Sequence, residues 1–191
     1  MSILMLLDAP GASVEAYDRT NELLDVRGNP DAPQGLISHC CAVDDKGLVV
    51  ADVWDSEAAL NRFFEERLGA ALAQAGIETA PPRIMRVHNL IRQGAGTVPG
   101  VLMIWEADGF TPEAYDAITS NMAAHVGDGS GHPAVSHVAA TTESGMVFAD
   151  IWDSPESMGR FLKTEVGPAA GGRLPEVEPR FARVHNRMLG A

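Results

Sequence analysis

Apolar residues fall into two rhythms along this chain, short continuous runs and stretches with helical spacing, and the same succession occurs twice. Ile3–Asp8 is an apolar run that reads as a strand. Ser13-Val14-Glu15 then carries helix-start chemistry, with Tyr17 and Leu24 at helical spacing, and a Gly/Pro/Asp-rich loop over Gly28–Gly35 ends the helix. Leu36–Val43 and Leu48–Trp54, rich in Val, Ile and aromatic residues, flank Asp44-Asp45-Lys46-Gly47 and predict a hairpin. A second helix starts at Asp55-Ser56, with an apolar stripe of Leu60, Phe63, Phe64, Leu68 and Leu72. Arg83–Ile91 reads as a closing strand.

From Val101 the order begins again. Val101–Glu106 is a strand, and Thr111-Pro112-Glu113 opens a helix with a cap, a proline in the first turn and an acid at the positive end of the dipole. Tyr115, Ile118 and Met122 lie on its apolar side, and the loop Gly127–Pro133 follows. Ala134–Thr141 and Met146–Trp152 flank Thr142-Glu143-Ser144-Gly145, Ser154-Pro155 opens the second helix, and Arg180–Met188 closes. Val49-Val50-Ala51-Asp52-Val53-Trp54-Asp55-Ser56 returns as Val147-Phe148-Ala149-Asp150-Ile151-Trp152-Asp153-Ser154, and Arg86-Val87-His88-Asn89 returns as Arg183-Val184-His185-Asn186. An internal duplication of this kind decides the architecture before any single motif does. The expected organisation is two tandem ferredoxin-like (βαββαβ) repeats in the α+β class, residues 1–92 and 100–191, joined by the Gly-rich linker 93–99. The helices cover one face of each four-stranded sheet, so the other face needs a partner, and the second repeat is the expected one.

Composition narrows the function classes. A net charge of −12 disfavours a nucleic-acid or anionic-membrane surface. Met1–Leu7 lacks a basic n-region and is too short for a signal peptide or a membrane span, so it reads as the first strand and the chain as cytoplasmic. The two cysteines, Cys40 and Cys41, are adjacent in a predicted strand, which argues against a bridge between them and against a thiolate zinc site.

The pattern from Gly47 through Asp52, Trp54 and Asp55-Ser56 to Arg62-Phe63, closing at Val87-His88-Asn89 and present in both halves, resembles the dimeric α/β-barrel superfamily, and within it the antibiotic-biosynthesis-monooxygenase-like proteins. The resemblance implies that the two repeats form a pseudo-dimeric α/β barrel, as a monomer or dimerising again. It also implies a small-molecule site and an activity from a varied set: monooxygenases, haem-degrading enzymes, isomerases, cyclases and proteins without known activity. Fold alone does not choose among these.

Hairpin register supplies the candidate chemistry. If Asp44 faces Gly47 across a two-residue turn, His39 falls opposite Asp52, Ile37 opposite Trp54, and by the same count His137 falls opposite Asp150. The small aliphatic residues Val49, Ala51 and Val53 are expected on the helix side, which sends Val50, Asp52 and Trp54 toward the partner sheet. Alternation in the last strands groups Arg86 with His88 and Arg183 with His185 on the inward face, opposite Val87 and Asn89. An imidazole oriented by a carboxylate can act as a general base, and a cofactor-free monooxygenase needs such a base to make a substrate carbanion reactive toward oxygen. His39, Asp52, His137 and Asp150 are therefore the candidate catalytic residues, with Trp54, Trp105, Trp152, His88, His185, Arg86 and Arg183 lining the substrate site. The alternative is a pair of buried structural ion pairs that fix strand register. The expected reading is a cofactor-independent monooxygenase-like enzyme acting on an aromatic or polyketide-type compound. A cyclase or isomerase using the same base, or a non-catalytic small-ligand or haem-binding protein with His88 or His185 as ligand, stands beside it.

Overall fold

The computed structural model describes residues 1–26, 28, 31–92, 98–126, 134–171 and 178–190, without side chains for 123–126. Most of the predicted linker and the Gly-rich loop after the fourth helix lie outside the described residues. The chain is α+β, and each repeat follows the order βαββαβ. The first contains β1 (Ile3–Pro10), α1 (Val14–Leu24), β2 (Leu36–Asp44), β3 (Gly47–Trp54), α2 (Glu57–Phe63), a π-helical turn (Phe64–Leu68), α3 (Gly69–Ala75) and β4 (Arg83–Arg92). The second contains β5 (Val101–Asp108), α4 (Pro112–Val126), β6 (Ser136–Thr141), β7 (Gly145–Trp152), α5 (Pro155–Phe161), a second π-helical turn (Leu162–Val166), α6 (Gly167–Ala170) and β8 (Arg180–Leu189). No described helix is long and apolar enough to cross a membrane.

The expected local signals set the helix ends. Ser13 Oγ accepts the Ala16 N–H, Ser56 Oγ the Ala59 N–H and Ser154 Oγ the Ser157 N–H, so each hydroxyl satisfies a donor that the first turn leaves free. Asp25, at φ 52, ends α1 in the left-handed conformation and returns its N–H to Asn21 and Glu22 carbonyls. The hairpin glycines are required by a close approach. A Cβ on Gly47 would stand 2.5 Å from the Ala9 carbonyl oxygen, and one on Gly145 2.3 Å from that of Ala107.

The compact units are cut differently from the repeats. One comprises Met1–Val87 with Ala182–Ala191, the other His88–Phe181. In the first, β3 pairs antiparallel with β1 and β2, the start of β4 lies along β1 from Ile3–Arg86 to Leu6–Arg83, and β8 lies along β2 from Ser38–Leu189 to Val43–Arg183. In the second, β7 pairs with β5 and β6.

The core of the first unit corrects the assignment of sheet faces. Ile3, Met5, Leu7 and Trp54 pack with Leu24 of α1, Leu60 of α2 and Ala71 of α3, and Val50 packs against the same cluster. Val50, Asp52 and Trp54 thus point to the helices, and Val49, Ala51 and Val53, all buried, occupy the other face. Trp54 and Phe63 fill the space between sheet and helices, with 5.6 Å between ring centroids. Trp152 and Phe161 repeat that contact at the same separation in the second unit.

Candidate functional site

β2 and β3 bring His39 opposite Asp52, and His39 Nδ1 lies 2.7 Å from Asp52 Oδ1. One strand step away a bulge skips Ile37, so Leu36 rather than Ile37 pairs with Trp54. The other imidazole nitrogen, Nε2, is 2.7 Å from the hydroxyl of Tyr17, which α1 lowers onto the sheet with its ring 7° from the imidazole plane. Tyr17 in turn receives the Asn186 Nδ2–H at 2.7 Å. A second bulge, between Cys41 and Ala42 on β2 and opposite His185 on β8, breaks the alternation there. Both His185 and Asn186 therefore reach α1, the first through Nε2 to Asp18 at 2.8 Å and the second to Tyr17.

The end groups fix the two outer hydrogen bonds of this chain, and the tautomer with Nδ1–H completes it in one direction. An amide N–H can only donate, and a carboxylate can only accept. Asn186 donates to the Tyr17 oxygen, Tyr17 O–H donates to His39 Nε2, and His39 Nδ1–H donates to Asp52.

The second unit builds the same relay from its own residues. Asn89 Nδ2–H donates to Tyr115 at 2.7 Å, the Tyr115 hydroxyl is 2.8 Å from His137 Nε2, and His137 Nδ1 is 3.0 Å from Asp150 Oδ2. The Val138 N–H also donates to Asp150, at 3.3 Å. His88 Nε2 lies 2.7 Å from Asp116 on α4, the counterpart of His185 and Asp18. Asp52, His137 and Asp150 are buried polar residues whose hydrogen-bonding groups meet partners.

Each relay sits in the wall of a mainly apolar cavity between helices and sheet. The first has an empty volume, mouth included, of about 760 Å³, and Leu7, Leu24, Val50, Trp54 and Phe63 line it beside Tyr17, His39 and Asp52. The second, of about 680 Å³, holds Trp105, Phe110, Phe148, Trp152 and Phe161 beside Tyr115, His137 and Asp150. The tryptophans are thus divided, Trp54 in one cavity and Trp105 and Trp152 in the other. Arg86 and Arg183 are exposed, and with His88 and His185 they stand outside both linings. Burial lifts the Tyr17 hydroxyl well above its ordinary range and that of Tyr115 to about 12. The free thiols Cys40 and Cys41 are buried too, with Cys41 pushed up to about 12 and Cys40 higher, in both cases mainly by desolvation.

The imidazoles weighed as haem ligands do not present an open nitrogen in the usual position. In both His88 and His185 the Nε2 faces an aspartate at hydrogen-bond distance. Among the described residues no group of three or more His, Cys, Asp or Glu side chains is arranged to hold a metal ion.

Sequence reasoning omitted Tyr17, Tyr115, Asn89 and Asn186 from the site. The tyrosines recur at the same place in each half, and each asparagine follows a repeated histidine. Those echoes were the available signal, but strict strand alternation put Asn89 on the wrong face.

No family model matches the sequence, and no curated protein matches it. Solved structures do share its fold over nearly the whole chain. An anthrone oxidase-like protein is 16% identical at a TM-score of 0.54, covering 98% of this chain and 92% of its own. A monooxygenase-like protein from Listeria innocua is 11% identical at 0.53, covering 97% and 95%. A ferredoxin-fold protein from Listeria monocytogenes related to antibiotic-biosynthesis monooxygenases is 9% identical at 0.53, also covering 97% and 95%. At these identities the likeness is one of fold.

Proposed function

We propose that this protein is a cofactor-independent, monooxygenase-like enzyme that oxidises an aromatic or polyketide-type compound bearing an acidic phenol or enol. The observation that carries the reading is the asparagine–tyrosine–histidine–aspartate relay in the wall of a mainly apolar cavity, built once in each unit by separate helices and strands. An anthrone oxidase-like protein of the same fold supports the substrate class.

The relay gives the tyrosine hydroxyl a proton-shuttle role. As the substrate O–H or activated C–H approaches the phenol oxygen, that oxygen takes the substrate proton while its own proton passes to His39 Nε2. Asp52 stabilises the imidazolium that forms, through the Nδ1–H bond. No free phenolate is needed at any point, which suits a phenol that burial holds protonated. The substrate anion then gives electrons to oxygen. For an anthrone-type methylene the balance is one substrate CH2 and one O2 giving one C=O and one H2O, with the relay proton returned to the departing water. Apolar walls favour this by keeping bulk water from the anion.

Oxygen uptake with anthrone is the test. Wild-type protein should consume one O2 per anthrone, and Tyr17→Phe combined with Tyr115→Phe should lower kcat by roughly 10²-fold. Unchanged uptake in that variant would remove the relay from the mechanism. Saturable binding of anthrone with no uptake would favour the non-catalytic ligand-binding alternative.

A further inference from the structure

The two cavities have diverged along one wall while keeping the same relay. Three positions change together. Leu7, Ala12 and Val50 of the first repeat correspond to Trp105, Phe110 and Phe148 of the second. Phe148 is the hub of the change. Its ring lies 5.6 Å from Trp105, 6.0 Å from Phe110, 5.9 Å from Tyr115 and 6.1 Å from His137, tilted only 24° to the imidazole. Phe148 is 5% exposed, and the two imidazoles are about equally covered, His137 at 10% and His39 at 13% of the side chain. Aromatic faces have replaced aliphatic branches next to the second phenol and imidazole, and aromatic rings gain most from flat partners in offset or edge contact.

From this we infer that the second cavity is a distinct binding site for a planar aromatic molecule, held against Trp105 and Phe148 beside its relay. The inference does not depend on the proposed relay chemistry. The binding statement stands on the aromatic wall alone.

The probe for binding is anthraquinone-2-sulfonate, a planar ring system with no methylene left to oxidise, followed by equilibrium dialysis. Replacing the wall with its first-repeat counterpart, Trp105→Leu with Phe148→Val, should weaken the probe's tighter site by about tenfold. Unaltered affinity in a variant whose near-ultraviolet circular dichroism shows native packing would overturn the binding site. If that pair does not fold, Trp105→Leu alone carries the same test with a smaller change of volume. Absence of oxygen uptake with anthrone in the wild type, with the probe still displaced by the wall exchange, would sink the proposed oxidation and leave the aromatic site standing.

Discussion

The phenol of each relay sits between two groups that need it: an imidazole nitrogen seeking a donor and an asparagine N–H seeking an acceptor. Removing either hydroxyl leaves both neighbours short of a partner in partly buried surroundings, at a cost of about 1–3 kcal/mol. Tyr17→Phe should therefore lower the urea midpoint modestly while lowering turnover far more, a split that a purely structural hydroxyl would not give. The same phenols set an alkaline limit. An exposed tyrosine in the unfolded chain loses its proton near 10.0, but Tyr115 in the fold does so only near 12. The contribution to stability is whole below pH 10 and drains away as the pH climbs toward 12, because only the unfolded chain gains by ionising in that interval. Urea midpoints should fall between pH 9 and pH 11, and Tyr115→Phe should shrink the difference. A variant whose midpoints fall as steeply as the wild type's would place the alkaline loss elsewhere. Cys40 and Cys41, held as thiols by burial, should resist a thiol reagent at pH 8 until urea unfolds the chain.

At the scale of elements, the order of strands and helices was legible because local signals agreed: hydroxyl caps, one Thr-Pro and one Ser-Pro start, and glycines wedged against a neighbouring carbonyl. The His39–Asp52 pairing followed from one turn length. Two things were hidden. Both faces of β3 are apolar, so alternation could not say which one meets the helices, and chain volume decided it. The bulge on β8 also defeats a period of two, which is why Asn186 escaped notice although its neighbour His185 did not. Asn186→Ala tests what the bulge positions. It should keep the β2–β8 pairing, leave Cys41 protected and still reduce turnover by about tenfold through a misdirected phenol. Normal turnover in that variant would reduce Asn186 to packing.

For the molecule as a whole, the compact unit that holds the first relay is completed by Ala182–Ala191, from the far end of the chain. A chain ended after Phe181 loses the strand along β2, exposing an unpaired edge beside Cys40 and Cys41. Those two thiols should then react rapidly in the native buffer in which the full chain protects them. Continued protection would mean that β8 is dispensable to the first unit. Residues 1–92 alone lack the same strand and should show no cooperative unfolding as a monomer.

The two asparagines also have a crossed origin. Asn186 serves the tyrosine of the first repeat and Asn89 that of the second. Deleting the last strand of either copy would therefore disable the other copy's relay, and a single repeat could complete its relay only by taking that strand from a second chain.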